Sequence, residues 1–159
     1  MADSEEETAK LALKGGKKIS SYAEIYNERF HFFKDYSKES LYIREVITAF
    51  APDCTRILDL ACGTGKHAVE LAGMGYSVTG LDIDPEIFAI AAQAAAERGL
   101  ILETVQADMR RFHVDPPVCF AINMFYSFQN VLQDTAEQAS CLDSVCRSLR
   151  DGGLLLLEV

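Results

Sequence analysis

From residue 56 onward, apolar positions arrive in short unbroken runs, and the stretches between them carry helical spacing. Arg56 to Ala61 reads as a buried strand, and a Gly-rich turn and a helix over about Lys66 to Met74 follow it, stopped by Gly75. Ser77 to Leu81 is a second strand. Asp84-Pro85 is a helix start, with a side-chain cap and then a proline at the first helical position, and the Ala-rich run to Arg98 ends at Gly99. Ile101 to Gln106 reads as a third strand and Cys119 to Met124 as a fourth. Thr135 to Arg150 places Ala139, Leu142, Val145, Cys146 and Leu149 on one face of an amphipathic helix. Asp151-Gly152-Gly153 then turns the chain into a fifth strand, Leu154 to Val159. Upstream, Ser37 is a candidate N-cap for a helix whose stripe is Leu41, Ile43, Val46, Ile47 and Phe50. Strands that are continuously apolar and alternate with helices predict a doubly wound α/β fold, a Rossmann-like parallel sheet covered on both faces. A run as apolar as Leu154-Leu155-Leu156-Leu157 predicts a central strand, so a neighbour beyond it is expected.

Composition narrows the partners. The 159 residues suit one domain, and the chain divides into a polar, flexible segment over residues 1–20 and a folded domain over residues 21–159. No apolar run reaches the roughly 20 residues that cross a bilayer, and the first residues lack a signal-peptide core, so a cytoplasmic protein is expected. A formal net charge of −9 disfavours nucleic acid, whose binding needs a basic surface. The five cysteines (Cys54, Cys62, Cys119, Cys141, Cys146) show no CxxC pair, and the three histidines (His31, His67, His113) stand far apart. This is neither a zinc pattern nor a disulfide framework, and reduced thiols with no bound metal are expected.

Chemistry concentrates where strands end. In Ile57-Leu58-Asp59-Leu60-Ala61-Cys62-Gly63-Thr64-Gly65-Lys66-His67-Ala68, an apolar strand meets a glycine turn and a helix begins at once. Glycine admits positive φ and lets a ligand approach the main chain, while amides at the helix start face the same crevice. The second strand ends in Asp82, about 20 residues after the glycines, the distance at which a carboxylate can accept both hydroxyls of a ribose. Asp84 suits the helix cap. Gln106-Ala107-Asp108-Met109-Arg110 places another acid at the third strand's end, where an adenine amino group could donate to it.

Together these residues resemble the class I S-adenosylmethionine-dependent methyltransferases of small-molecule type. Asp59 to Gly65 is similar to their first motif, Gly80 to Asp84 to their second, Ala107 to Met109 to their third, and Leu149 to Leu154 to their turn into strand five. The resemblance implies S-adenosyl-L-methionine as cofactor and a small-molecule acceptor, less readily a protein. It implies that the backbone around Ala61 and Gly63 holds the methionine part, that Asp59 and Gly65 belong with it among the cofactor-binding residues, and that Asp82 binds the ribose hydroxyls. Ile83 would pack on the adenine, and Asp108 with the Met109 amide would read its edge. Tyr22, Tyr26 and Tyr36 match an aromatic leader lying over the cofactor. After the fourth strand, Asn123, Phe125 and Tyr126 fall at the mouth of methyl transfer and are candidates to line the acceptor site. No catalytic base is assigned.

Two departures matter. Ala61 stands where the commonest first motif has glycine, and the family's usual sheet has seven strands against five here. The sixth and seventh are absent, so truncation at the C-terminus is expected, with self-association or a partner chain at the edge they leave. Two other readings compete. Gly63-x-Gly65-x-x-Ala68 with Asp82 also fits an NAD-dependent oxidoreductase, although Asp59 and the wide turn suit an amino-acid moiety better than a pyrophosphate. A non-catalytic cofactor-binding or partner module is the other.

Overall fold

The computed structural model describes residues 34–159. Tyr22 and Tyr26 lie outside the described residues, as does the expected flexible segment. Helix α1 spans Tyr36–Phe50 and is followed by strand β1, Arg56–Leu60, helix α2, Lys66–Gly73, and strand β2, Ser77–Asp82. Helix α3, Pro85–Glu97, leads to β3, Glu103–Gln106, and β4, Val118–Asn123. A short α4, Ser127–Val131, and a longer α5, Thr135–Ser148, precede β5, Leu149–Leu157.

The strands form one sheet in the order β3-β2-β1-β4-β5, and every pairing is parallel. Side chains alternate across it, which divides the interior in two. Ile57, Val78, Phe120 and Ile122 meet Ile43 and Ile47 of α1 and Ala68 and Leu71 of α2. Leu58, Leu60, Leu81 and Ala121 meet Phe128 of α4, Leu132, and Cys141 and Val145 of α5. Because both faces are covered, β1 and β4 are buried nearly throughout, which is why they read as unbroken apolar runs. The order turns around between β1 and β4. A sheet of this kind opens its ligand crevice outside the carboxyl ends of the strands at that point.

Local differences from the sequence reading have physical causes. Asp35, not Ser37, caps α1, its carboxylate accepting from Lys38 N–H at 3.0 Å; an ionised acceptor there also favours the helix dipole. Asp84 caps α3 with Pro85 in its first turn, as expected. β3 begins only at Glu103, where pairing to Thr79 starts, and Ile101 is left 88 % exposed. Helix α5 is rotated from the expected face: it buries Cys141, Ser144, Val145 and Ser148 and leaves Leu142 and Cys146 outside. Ser144 Oγ accepts from Phe112 N–H at 3.4 Å and Ser148 Oγ from Val114 N–H at 3.1 Å. Buried amides require acceptors, and that need decides the face. β5 lies at the sheet's edge and is only half-buried, and it starts at Leu149, with Gly152-Gly153 inside an irregular stretch against β4. Finally, Cys54 and Cys119 are joined in a disulfide, contrary to the expectation of reduced thiols. Adjacency of β1 and β4 brings their Cα atoms to 5.4 Å although 65 residues separate them, a proximity invisible along the chain.

Candidate cofactor-binding site

β1 ends at Leu60, and the chain then turns through three left-handed positions, Ala61 (φ 53°), Gly63 (φ 55°) and Gly65 (φ 71°). Gly65 is the residue immediately before α2. A Cβ there would lie 2.8 Å from the Ala91 Cβ of α3, so the position requires glycine for space as well as for φ. Ala61 holds the same handedness with a Cβ, at a cost of roughly 1–2 kcal/mol. The turn is tied to its neighbour strand: Cys62 N–H donates to Leu81 O at 3.0 Å, and Cys62 Sγ occupies the space a side chain at Gly80 would need. Burial first, then the Asp59 and Asp82 charges, pushes the Cys62 thiol far above its ordinary range, so it acts here as a small apolar filler.

Two carboxylates flank the turn. Asp82, at the tip of β2, accepts from Gly63 N–H at 2.9 Å through Oδ2, and from Ile83 N–H at 2.8 Å and Asp84 N–H at 3.1 Å through Oδ1. It thereby joins the glycine turn to the start of α3. A carboxylate has about four lone-pair directions, so one on Oδ2 is left for a further donor. Asp59 points to the α2 side of β1 and is 2 % exposed. The Ala68 N–H donates to it, and its Oδ2 has no hydrogen-bond partner. Desolvation first, and the Asp82 charge second, push Asp59 up to about 8. An unsatisfied buried acceptor costs about 1–3 kcal/mol and calls for a donor, and a cation suits it best.

The β3 side brings the third acid alongside. Gln106 pairs with Asp82, Ala107 N–H donates to Asp82 O at 3.0 Å, and Asp108 follows directly. Ile83, directly after Asp82, has 64 % of its surface exposed, an apolar face available for a flat ring. Met109 is buried with Phe112 and Val114 against α5, which leaves its backbone rather than its side chain for recognition. Asp108 is engaged by Arg110, whose guanidinium and amide hold its carboxyl below the usual carboxylate range. The sequence reading did not single out Arg110, although it stands only two residues further on.

Beyond β4 the candidates separate. Asn123 is 1 % exposed and both ends of its amide are used: Nδ2 donates to Leu60 O at 2.8 Å and Oδ1 accepts from Phe128 N–H at 2.9 Å. It bolts the tip of β1 to α4. Phe125 and Tyr126 both adopt left-handed backbone (φ 64° and 58°), unusual for aromatic residues. Glu158, just past β5, accepts from Phe125 N–H at 2.6 Å and fixes this bend. Strain of this kind gathers at functional sites. Tyr36 opens α1 and meets His67 edge-on, ring centroids 5.0 Å apart. His67, on α2, is 6 % exposed, with Nε2 2.8 Å from Glu39 Oε2 of α1. Glu39 and Glu158 had no signal in the sequence, because their partners are distant along the chain.

Comparison with known proteins agrees with this geometry. The family described as "Methyltransferase domain" matches residues 57–153, which take in the glycine turn, both acids beside it and the turn into β5. The chain belongs to this methyltransferase family. YqeM of Bacillus subtilis (strain 168) is 35 % identical over 113 residues, covering 71 % of this chain and 45 % of that protein. The dTDP-3-amino-3,4,6-trideoxy-alpha-D-glucopyranose N,N-dimethyltransferase of Streptomyces venezuelae is 27 % identical over 125 residues, 79 % of this chain and 51 % of its own length. Among solved structures, the sugar N-methyltransferase KedS8 from Streptoalloteichus sp ATCC 53650 superposes with a TM-score of 0.74 at 28 % identity, covering 90 % of this chain and 55 % of that one. SAM-bound CalS10, an amino pentose methyltransferase from Micromonospora echinaspora, gives 0.72 at 27 % identity, covering 91 % and 58 %. This methyltransferase chain thus spans about half the length of the relatives it matches.

Proposed function

We propose that the chain is the cofactor-binding portion of an S-adenosylmethionine-dependent methyltransferase that acts on a small-molecule acceptor. The observation that carries the reading is the orphaned, buried Oδ2 of Asp59 beside a turn left open by glycine. A nicotinamide dinucleotide offers only anionic phosphates at that place, which carry no donor for the orphaned oxygen and oppose the ionised form of Asp59. An amino acid offers an ammonium. The residues present therefore fit the methionine end of S-adenosylmethionine, with Asp59 taking the ammonium and the backbone at Ala61, Gly63 and Gly65 lying against the chain. Asp82 would accept a ribose hydroxyl through its remaining lone pair, Ile83 would lie on the adenine face, and Asp108 and the Met109 amide would meet its edge. Tyr36 is proposed to lie over the cofactor.

When bound, this cofactor supplies a methyl carbon already activated by a sulfonium. The protein's contribution is alignment, worth up to roughly 7–11 kcal/mol in favourable cases. Phe125 and Tyr126, held in their bend by Glu158, would line the acceptor side, and Asn123 would hold the β1 and β4 tips in register beneath them. The amino-sugar methyltransferases among the similar proteins support a small-molecule acceptor. The outer edge of β5 has no strand partner among the described residues, and we propose it as a place for pairing with a further strand. Light scattering on the purified chain tests this, a strictly monomeric solution opposing pairing with a second copy. Among the described residues, no helix is long and apolar enough to cross a membrane. A cytoplasmic location is proposed on the sequence reading alone. The Cys54–Cys119 bond argues for an oxidising compartment instead, and a thiol count on protein taken from cells decides between them.

Calorimetric titration with S-adenosylhomocysteine and, separately, with NAD tests the cofactor. Saturable binding of the first alone is expected. Binding of NAD alone would replace this reading with the oxidoreductase one.

A further inference from the structure

The carboxylate proposed to meet the adenine edge is already occupied by a neighbour. Arg110 N–H donates to Asp108 Oδ1 at 2.9 Å. Arg110 Nε lies 3.0 Å from both Oδ1 and Oδ2, and Nη2 lies 2.6 Å from Oδ2. Since a carboxylate offers about four lone-pair directions, these contacts draw on all of them. The other guanidinium nitrogen, Nη1, donates to Glu137 Oε1 at the start of α5. Glu137 is itself fixed: Oε2 accepts from Gln133 N–H at 2.7 Å, and its own N–H donates to Asp134 Oδ1 at 2.8 Å. Ser144 Oγ donates to the Arg110 carbonyl at 3.2 Å, so the residue is anchored to α5 by main chain and side chain alike. The guanidinium end remains substantially exposed.

We propose that Arg110 sets the nucleobase selectivity of the cofactor site, sharing its guanidinium between Asp108 and an incoming purine while Glu137 holds it in place. The inference rests on Asp108 meeting the adenine edge. A 6-aminopurine is a donor at that edge, so it must displace a guanidinium N–H from Asp108 before it can bond. A 6-oxopurine is an acceptor there and can take a guanidinium N–H for itself. Arg110 therefore narrows the difference between the two bases. Without it, Asp108 would attract the amino group and repel the oxo group with nothing between. The backbone bond from residue 110 to Asp108 Oδ1 survives substitution of the side chain, so the carboxylate keeps its orientation in the variant.

The test is the ratio of dissociation constants for S-inosylhomocysteine and S-adenosylhomocysteine, measured calorimetrically at neutral pH. Because both ligands are titrated into the same preparation, any unfolded fraction leaves the ratio unchanged. In Arg110→Ala the ratio should rise by roughly threefold, the size expected when one partly exposed ion pair is lost. Arg110→Lys, which keeps the charge but not the planar fork, should fall between Ala and wild type. Asp108→Asn should lower the preference with Arg110 intact, the remainder coming from the Met109 amide, from which adenine N1 can accept and a protonated N1 cannot. A ratio unchanged in Arg110→Ala while Asp108→Asn alters it would overturn the role of Arg110 and leave the adenine assignment standing. A ratio unmoved by Asp108→Asn would overturn that assignment and this inference together, as would a wild-type chain that binds neither ligand.

Discussion

Asp59 joins the chemistry of the site to the stability of the fold, and the variant Asp59→Asn separates the two. In the folded chain the carboxyl is 2 % exposed and, through burial and then the Asp82 charge, ionises only at about 8. In the unfolded chain it is solvated and ionises near the ordinary value of about 3.9. Between those two values the folded state keeps a proton that the unfolded state has released. Stability due to Asp59 is therefore complete below the lower value and is lost as pH rises through the higher one, at about 1.4 kcal/mol per pH unit. By pH 7 the loss sums to at most about 4 kcal/mol. Asparagine has nearly the same shape, keeps an oxygen for the Ala68 N–H and does not titrate. Urea unfolding of both proteins from pH 5 to pH 8 measures the effect. The variant should be the more stable, by a margin that widens with pH. It should also bind S-adenosylhomocysteine at least tenfold more weakly, because the ammonium loses its anion. A margin that stays constant across the range, or a variant less stable than wild type at pH 7, would refute the buried, proton-holding carboxyl.

Three further outcomes follow from the same geometry. Binding of S-adenosylhomocysteine at neutral pH should release close to one proton, since an ammonium beside Asp59 favours its ionised form; titrations in buffers of different ionisation enthalpy read this, and no exchange would contradict it. Gly65→Ala should lose about 2–5 kcal/mol in urea unfolding, combining a left-handed alanine with a contact to the Ala91 Cβ that neither side can relieve. Retention of wild-type stability would show that the turn relaxes freely. Asp82→Ala removes the acceptor of three backbone amides and should cost about 2–3 kcal/mol of stability after allowance for water replacing some of them. In the protein that remains folded, S-adenosylhomocysteine affinity should fall at least tenfold, and unchanged affinity would remove Asp82 from the site.

How far the sequence could be read followed from how local each cause was. β1, β2 and β4 were legible because strands buried on both faces leave unbroken apolar runs, and α3 because Asp84 and Pro85 mark its start within two residues. The glycine turn, Asp82 and Asp108 were legible as strand-end features of an α/β sheet. The face of α5 was not, since it is chosen by the amides of Phe112 and Val114, more than thirty residues away. The same holds for the Cys54–Cys119 bond, for His67 against Glu39 and for Glu158 under Phe125, all of which depend on which strands and helices become neighbours. β5 reads as a covered strand from its four consecutive leucines, and among the described residues its outer edge has no strand partner, in keeping with the expected neighbour beyond it. Asn123 shows the limit of reading a site by position alone, because a residue at the right strand end can spend its whole side chain holding that end together.

The most direct measurement is a crystal structure of the chain with S-adenosylhomocysteine. The expected complex has a ribose hydroxyl on Asp82, the ammonium directed toward Asp59 across the Gly63 turn, and the adenine lying on Ile83 with its edge at Asp108. Density for the ligand anywhere other than the crevice bounded by Gly63, Asp82 and Asp108 would contradict the assignment.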